Sequence, residues 1–140
     1  MTIRPVSELV AAAVARIENL SADEVAREHA EGAILVDIRD FRERLELGAL
    51  PGAVHAPRGM LEFWADPASE YHRDLFQADA RLILYCAKGH RSALATATLV
   101  DMGFRNVAHL ATGFEGWLAA GQEVEEVAAR SKWVKQQTGR

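Results

Sequence analysis

One cysteine in the chain lies where a thiol becomes reactive. Cys86 follows a short apolar run, Leu82–Tyr85, which predicts a buried strand. Four loop residues come next, then Arg91, and a helical pattern that carries on to Met102 and stops at Gly103. A cysteine just before a helix N-terminus meets unpaired N–H groups and the positive end of the helix dipole, and both favour thiolate over thiol. The spacing therefore predicts a nucleophilic sulfur rather than a small buried hydrophobe.

The residues around this cysteine suit an anion-binding loop. Gly89 lets the backbone turn without a Cβ penalty, so that successive amides can point inward. Three basic side chains add positive potential at the rim. We predict Cys86 and Arg91 as the catalytic pair, with a substrate held by Ala87, Lys88, Gly89, His90 and Ser92.

The segment from Cys86 to Ser92, C-A-K-G-H-R-S, resembles the active-site loop of rhodanese-like sulfurtransferases, C-x-x-G-x-R-S. Phosphotyrosine phosphatases also hold a cysteine and an arginine before a helix, but with five residues between them instead of four. Fewer residues close a tighter ring of amides, which suits a sulfur atom on the thiolate better than a tetrahedral phosphate. Asp37 and Arg39 match the family's D-x-R, and the resemblance covers roughly residues 17–121.

This resemblance implies a rhodanese-like α/β fold with five parallel strands, and sulfur transfer by a ping-pong route. The donor would be a small thiosulfate-like anion, and the acceptor cyanide, a thiol or a protein. By resemblance, Asp37 braces the active-site loop through Arg91 or the loop amides, and Arg39 lies near the pocket, where it would bind the donor. Arg58 follows a strand end, from which it could reach the donor. A persulfide carrier or regulatory module, and a phosphatase or arsenate reductase, remain as alternatives.

Composition limits the possible functions. With 140 residues we expect one domain, and a net charge of −4 with a pI of about 5.7 gives no electrostatic support for binding nucleic acid. No apolar run is long enough to cross a membrane, and no secretory signal pattern opens the chain. A single cysteine suits a reducing cytoplasm, and five histidines without paired spacing make a metal site improbable. We expect no cofactor, and a monomer or a homodimer.

The elements that must position the thiol alternate between helix and strand, which predicts a parallel sheet with helices on both faces. Ser7 is a candidate N-cap for a helix over 7–18, although 17–20 could instead be a short edge strand. Ser21 and Glu24 form a capping-box signature for a second helix that ends near Gly32. A third helix over 41–47 should turn Phe41 and Leu45 inward, and its charged residues, among them Glu43 and Arg44, outward. Further strands are predicted at 33–36, 54–56 and 106–110, and a helical tail at 122–140.

Overall fold

The computed structural model describes residues 2–127 and shows an α/β fold built on a five-stranded parallel sheet. The order of the strands across the sheet is β1-β5-β4-β2-β3, and each neighbouring pair is parallel. This architecture confirms the predicted fold class. The strands are β1 Glu18–Leu20, β2 Ile34–Asp37, β3 Val54–His55, β4 Leu82–Tyr85 and β5 Val107–Leu110.

Helices cover both faces of the sheet. Helices α4 and α5 pack on one face, where α1 lies against α5, and α2 and α6 pack on the other. A single 3-10 turn, Arg58–Met60, precedes α4. The helices are α1 Val6–Val14, α2 Ala22–Ala30, α3 Phe41–Leu47, α4 Leu61–Ala65, α5 His90–Met102 and α6 Gly113–Ala119.

Strand β4 lies at the centre of the sheet and is buried along its whole length. Its side chains alternate between the two layers, as the pleat of a strand requires. Leu82 and Leu84 pack with α4 and α5, and Cys86, the residue after the strand, joins the same layer. Ile83 and Tyr85 pack with α2 and α6. The sulfur therefore belongs to the layer under α5.

The predicted cap of α2 and the predicted end of α5 at Gly103 are confirmed. Ser21 caps α2 and Asp40 caps α3, and each pairs with the glutamate three residues later in a capping box. Gly103 ends α5 in the left-handed conformation, with φ of 107°. The predicted orientation of α3 is wrong for two residues: Phe41 is exposed, and Arg44 is buried because it pairs with a buried carboxylate.

The N-terminal helix is shorter than predicted. It spans Val6–Val14 with Pro5 at the N-cap, so the predicted helix over 7–18 with Ser7 as its cap is wrong. The alternative, an edge strand, is what the chain forms, because β1 finds a partner in β5. The side chain of Asn19 donates to the carbonyl oxygens of Val14 and Ile17, both at 3.0 Å, and holds this turn.

The tail prediction is wrong for the part that the structure describes. Residues 122–127 contain no helix, and Glu125 pairs with Ala49 in an antiparallel bridge whose two N···O distances are 2.9 and 2.8 Å. The indole N–H of Trp117 donates to the carbonyl of Glu123 at 2.7 Å. These long-range bonds hold the backbone extended. The rest of the predicted tail helix, 128–140, lies outside the described residues.

Candidate active site

The thiol of Cys86 lies at the floor of the loop between β4 and α5. The residue is only 1% exposed, so its sulfur is covered by the loop that follows it. The backbone N–H groups of Gly89 and Ser92 donate to Sγ, at N···S distances of 3.2 and 3.3 Å. Two main-chain dipoles thus point at the sulfur, which is the arrangement that stabilises a negative charge there.

The other amides of the loop do not reach this sulfur. The N–H groups of Lys88, His90 and Arg91 donate to no residue within 2–127. The predicted ring of amides is therefore two donors on Sγ and three more that a bound substrate could use. The side chains of Lys88, His90 and Arg91 are exposed, and Ala87 is half-buried.

Contacts with α6 and the end of β5 hold the loop in shape. The first turn of α6 donates its N–H groups to the loop, from Phe114 to the carbonyl of Cys86 at 2.8 Å and from Glu115 to that of Ala87 at 3.0 Å. Gly89 adopts φ of 93°, and a Cβ there would collide with the carbonyl oxygen of Ala111. The carbonyls of the first two loop residues are therefore bound on the α6 side, which fixes the backbone that points the amides of Gly89 and Ser92 at the sulfur.

Behind the sulfur, polar side chains form a chain of hydrogen bonds. Ser92 is fully buried, with its Oγ 3.5 Å from Sγ of Cys86 and 2.8 Å from Nδ1 of His109. The other ring nitrogen of His109 lies 2.7 Å from Oδ1 of Asn19. Burial lowers the pKa of His109 to about 4, so its ring is neutral at ordinary pH. No local sequence pattern indicates this link between His109 and Ser92.

The guanidinium of Arg91 forms a double hydrogen bond with the carboxylate of Glu43, with both N···O distances at 2.9 Å. Glu43 raises the pKa of Arg91 through this bond, burial acts against it, and the charges of Glu43 and Cys86 add to the rise. The side chain of Arg91 is 44% exposed. A partly open cation therefore lies at the edge of the loop, within electrostatic reach of the thiol.

Comparison with known proteins identifies the family of this loop. A model of the rhodanese-like domain matches residues 21–120. The chain belongs to the rhodanese-like family. A thiosulfate sulfurtransferase GlpE from Ectopseudomonas mendocina (strain ymp) is 33% identical over 106 residues, which is 76% of this chain and 89% of that protein.

Solved structures agree with this rhodanese-like fold. A protein of unknown function from Rhodopseudomonas palustris CGA009, described as a possible tyrosine phosphatase, is 43% identical with a TM-score of 0.84, over 89% of this chain and 98% of that one. A polysulfide-sulfur transferase homodimer from Wolinella succinogenes is 26% identical with a TM-score of 0.68, over 84% of each chain. This rhodanese-like protein is therefore similar both to sulfurtransferases and to a chain considered as a phosphatase.

The D-x-R motif of this rhodanese-like protein is a buried ion cluster. Asp37 accepts from Arg39 (2.9 and 2.8 Å), from Arg44 (2.9 Å) and from the hydroxyl of Tyr85 (2.8 Å). Burial would raise the pKa of Asp37, but the bonds and charge of Arg39 outweigh it and hold that pKa below its ordinary value. The prediction that Asp37 braces the loop through Arg91 or the loop amides is wrong, because its oxygens are bound to these other partners.

Arg39 was predicted to bind the substrate, and its position contradicts this. The residue is fully buried, with its guanidinium carbon 4.5 Å from the ring centroid of Phe114 and 5.3 Å from that of Tyr85. It also donates to the carbonyl of Gly48 at 2.7 Å. A cation enclosed in this way stabilises the fold and cannot meet a donor from solvent.

Arg58, predicted to bind the donor, is partly exposed and already has partners. Its guanidinium pairs with Glu62 at 2.7 Å and lies 3.5 Å from the hydroxyl of Thr98. Thr98 is in the third turn of α5, well past the catalytic loop. The substrate-binding role of Arg58 therefore stays a prediction.

The sequence interpretation missed three residues of this region. Glu43 was interpreted only as an outward charge on α3, Arg44 was placed on the wrong face, and Tyr85 was one of four apolar strand residues. The alternation of side chains along a strand could have indicated that Tyr85 lies beside Asp37. Asp37 and Tyr85 each end a central strand, and such residues in adjacent parallel strands can share a layer.

Within residues 2–127, no helix is both long enough and apolar enough to cross a membrane. The same part of the chain holds no group of three or more His, Cys, Asp or Glu side chains placed to bind a metal ion. The site described above consists of main-chain donors, one thiol and neighbouring side chains.

Proposed function

We propose that this protein is a sulfurtransferase that carries sulfane sulfur as a persulfide on Cys86. The observation that supports this is the pair of loop amides, from Gly89 and Ser92, that point at Sγ. A thiolate stabilised by main-chain donors can act as a nucleophile without a separate general base.

The first half-reaction takes sulfur from thiosulfate or a similar anionic donor. The thiolate of Cys86 attacks the outer sulfur of thiosulfate, forming a new S–S bond, and the old S–S bond breaks so that its electron pair leaves on sulfite. Lys88 and Arg91 bind the charge of the donor and of the departing sulfite. The amides of Lys88, His90 and Arg91 are the donors left in the loop for the outer sulfur.

The second half-reaction delivers the sulfur. A thiophilic nucleophile, such as cyanide or a thiolate, attacks the outer sulfur of the persulfide, and the electron pair of the broken S–S bond returns to Cys86 as thiolate. Thiocyanate or an acceptor persulfide leaves, and the enzyme is restored. A single cysteine suits a reducing cytoplasm, where thiol acceptors stay reduced.

Mass spectrometry tests this proposal directly. After incubation with thiosulfate and removal of excess reagent, the intact protein should carry one additional sulfur atom, located on Cys86 by peptide mapping. Cyanide should remove it with formation of thiocyanate. The variant Cys86→Ser should stay unmodified and inactive, while Thr96→Val, which alters a buried hydroxyl elsewhere on α5, should load normally. Full activity in Cys86→Ser would refute the proposal.

Lys88→Ala separates donor binding from chemistry. It should raise the KM for thiosulfate with little change in kcat, because Lys88 is an exposed charge at the loop and makes no bond to the sulfur. Arg16→Ala, which removes an exposed cation paired with Asp101 at the far end of α5, is the matched control and should leave KM unchanged. Equal values of KM for Lys88→Ala and the native protein would exclude Lys88 from the binding of the donor.

Phosphatase chemistry is the second candidate, because the Rhodopseudomonas palustris chain is described as a possible tyrosine phosphatase. Four residues separate Cys86 from Arg91, and the guanidinium is already bound to Glu43. Hydrolysis of an aryl phosphate without any uptake of sulfur would favour that function. Slow sulfur transfer to cyanide, together with rapid sulfur transfer to a protein acceptor, would instead indicate a persulfide carrier.

A further inference from the structure

The polar chain behind the sulfur crosses three elements of the fold. It begins at Cys86 after β4, continues through Ser92 in the first turn of α5 and His109 in β5, and ends at Asn19 in β1. The successive distances are 3.5, 2.8 and 2.7 Å. Ser92 and His109 are at most 1% exposed, whereas Asn19 is exposed at the edge of the sheet. Beyond Cys86 itself, the sulfur-transfer steps above use only the backbone amide of Ser92 and none of the side chains of Ser92, His109 and Asn19.

The direction of each hydrogen bond in this series follows from its exposed end, the side chain of Asn19. The amide nitrogen of Asn19 donates to the carbonyls of Val14 and Ile17, so its oxygen faces His109 and accepts. Nε2 of His109 therefore carries the ring proton. In a neutral imidazole the other nitrogen, Nδ1, can then only accept, so the hydroxyl of Ser92 donates to it.

A hydroxyl has one proton, and Ser92 has three acceptors within reach. Nδ1 of His109 is the nearest at 2.8 Å, followed by the carbonyl of Gly89 at 3.3 Å and Sγ of Cys86 at 3.5 Å. Because the Ser92 hydroxyl donates its proton in the hydrogen bond to His109, its Oγ presents a lone pair to the sulfur. It can accept a hydrogen bond from the thiol, but it cannot donate one to the thiolate.

We propose that His109 and Asn19 are positioning residues that withhold the Ser92 hydroxyl from the sulfur of Cys86. This inference rests on the proposed function, in which that sulfur is a nucleophile. The thiolate is then stabilised by two main-chain amides and not by a third donor. A thiolate with fewer donors is the stronger nucleophile, because stabilisation of the anion lowers its reactivity.

The single cysteine allows a direct test by titration of the ultraviolet absorbance of the thiolate. In His109→Leu the Ser92 hydroxyl becomes free to donate to Sγ. The midpoint of the thiolate titration should then fall by about 1 pH unit, as expected for one added hydrogen bond to a charged group. The rate of alkylation per thiolate should fall by about 3-fold. Adding Ser92→Ala to His109→Leu should return the midpoint to near its native value.

Matched variants separate this effect from general disturbance. His109→Asn keeps an acceptor near the position of Nδ1 and should retain the native midpoint. Thr96→Val, one helical turn beyond Ser92, should also leave it unchanged. The charged groups nearest the thiol, Arg91 with its partner Glu43 and the exposed Lys88 and His90, are the same in every variant.

Three outcomes would overturn the inference. An unchanged midpoint in His109→Leu would show that the hydroxyl is not withheld, and a rise would show that the ring takes the thiol proton. Ser92→Ala alone gives an independent measurement, since removing a hydroxyl that does not donate to the thiolate should not raise the midpoint. A clear rise in Ser92→Ala would contradict the assigned direction even if His109→Leu fails to fold.

The titration needs no sulfur donor, so it is independent of the proposed function. Failure of Cys86 to gain sulfur from thiosulfate would refute the persulfide route while the titration still reported on Ser92. Normal sulfur uptake with no shift in His109→Leu would refute only the positioning role.

Discussion

The ends of two adjacent strands of this sheet hold two polar sites of different kinds, an ion cluster and a thiol. Strand β2 ends at Asp37, which pairs in register with Tyr85 at the end of β4, and Cys86 comes one residue later. Asp37 and Tyr85 point into the layer of α2 and α6, where side-chain charges are paired and buried. Cys86 points into the layer of α5, where main-chain amides receive it. A shift of one residue along the strand therefore separates a structural ion cluster from the thiol that we propose as the nucleophile.

The comparison shows two ways to hold a negative charge inside a protein. The carboxylate of Asp37 is paired with two arginines and a hydroxyl, whose hydrogen bonds occupy both of its oxygens and leave neither for a substrate. The sulfur of Cys86 instead receives two main-chain amides, which the backbone fixes in place, and in the proposed function this sulfur reacts as a thiolate. Each prediction below alters one of these two arrangements.

Removal of the charge at Asp37 should have the largest effect. Asp37→Asn leaves Arg39 and Arg44 buried without their counter-ion and should lower the free energy of unfolding by about 4 kcal/mol. Urea denaturation measures this. Asp79→Asn, which breaks an exposed pair with Arg105, is the control and should change stability little. Equal loss in the two variants would contradict the structural role of the cluster.

Gly89→Ala alters the amide cradle instead. Its Cβ would meet the carbonyl of Ala111 and displace the loop, so sulfur transfer should fall by about 100-fold. Gly103→Ala imposes similar left-handed strain, at φ of 107°, but its Cβ would meet nothing within 4 Å. That control should lose some stability and keep its activity. If Gly103→Ala lost activity as severely, strain rather than the displaced amides would explain the result.

His109 should make stability depend on pH near neutrality. Burial lowers the pKa of His109 in the folded protein to about 4, whereas the ring in the unfolded chain titrates at about 6.5. Because only the unfolded chain takes up the proton between these values, the free energy of unfolding is highest above pH 6.5 and falls as the pH drops toward 4. Between pH 7 and 5 the free energy of unfolding of the native protein should fall by about 2 kcal/mol more than that of His109→Asn. Burial also lowers the pKa of His55, but that contribution is common to both proteins. If the free energies of unfolding of the two proteins fell equally with pH, His109 would not be buried as a neutral ring.

The smallest expected effect concerns the pair of Glu43 and Arg91. Glu43→Gln keeps a side-chain oxygen for the cap of α3 but removes the charge that neutralises Arg91. The KM for thiosulfate should fall by about 3-fold, consistent with the modest energy of an exposed ion pair. Glu46→Gln on the same helix serves as the control and should leave KM unchanged. A rise in KM for Glu43→Gln would show that Arg91 needs its partner to be positioned.

Sequence reasoning was most successful where the signal was local. The strand before Cys86, the left-handed glycines at Gly89 and Gly103, and the capping box at Ser21 each depend on residues within a few positions of one another. The spacing of the cysteine loop also indicated the family correctly. The errors concern partners that are distant in sequence: the oxygens of Asp37, the face of Arg44, and the tail that pairs with Ala49.

The sequence by itself determined a parallel α/β sheet, a thiol at the end of its central strand and a short loop of amides before a helix. Only the tertiary structure decided which charges are enclosed and which remain at the site. Asp37 and Arg39 resemble site residues in sequence, yet the pleat turns them into the opposite layer from the sulfur. His109 and Asn19 come to lie behind the sulfur only because β1, β5 and β4 are neighbours in the sheet. Such proximity depends on strand order and side-chain direction, and neither is contained in local spacing.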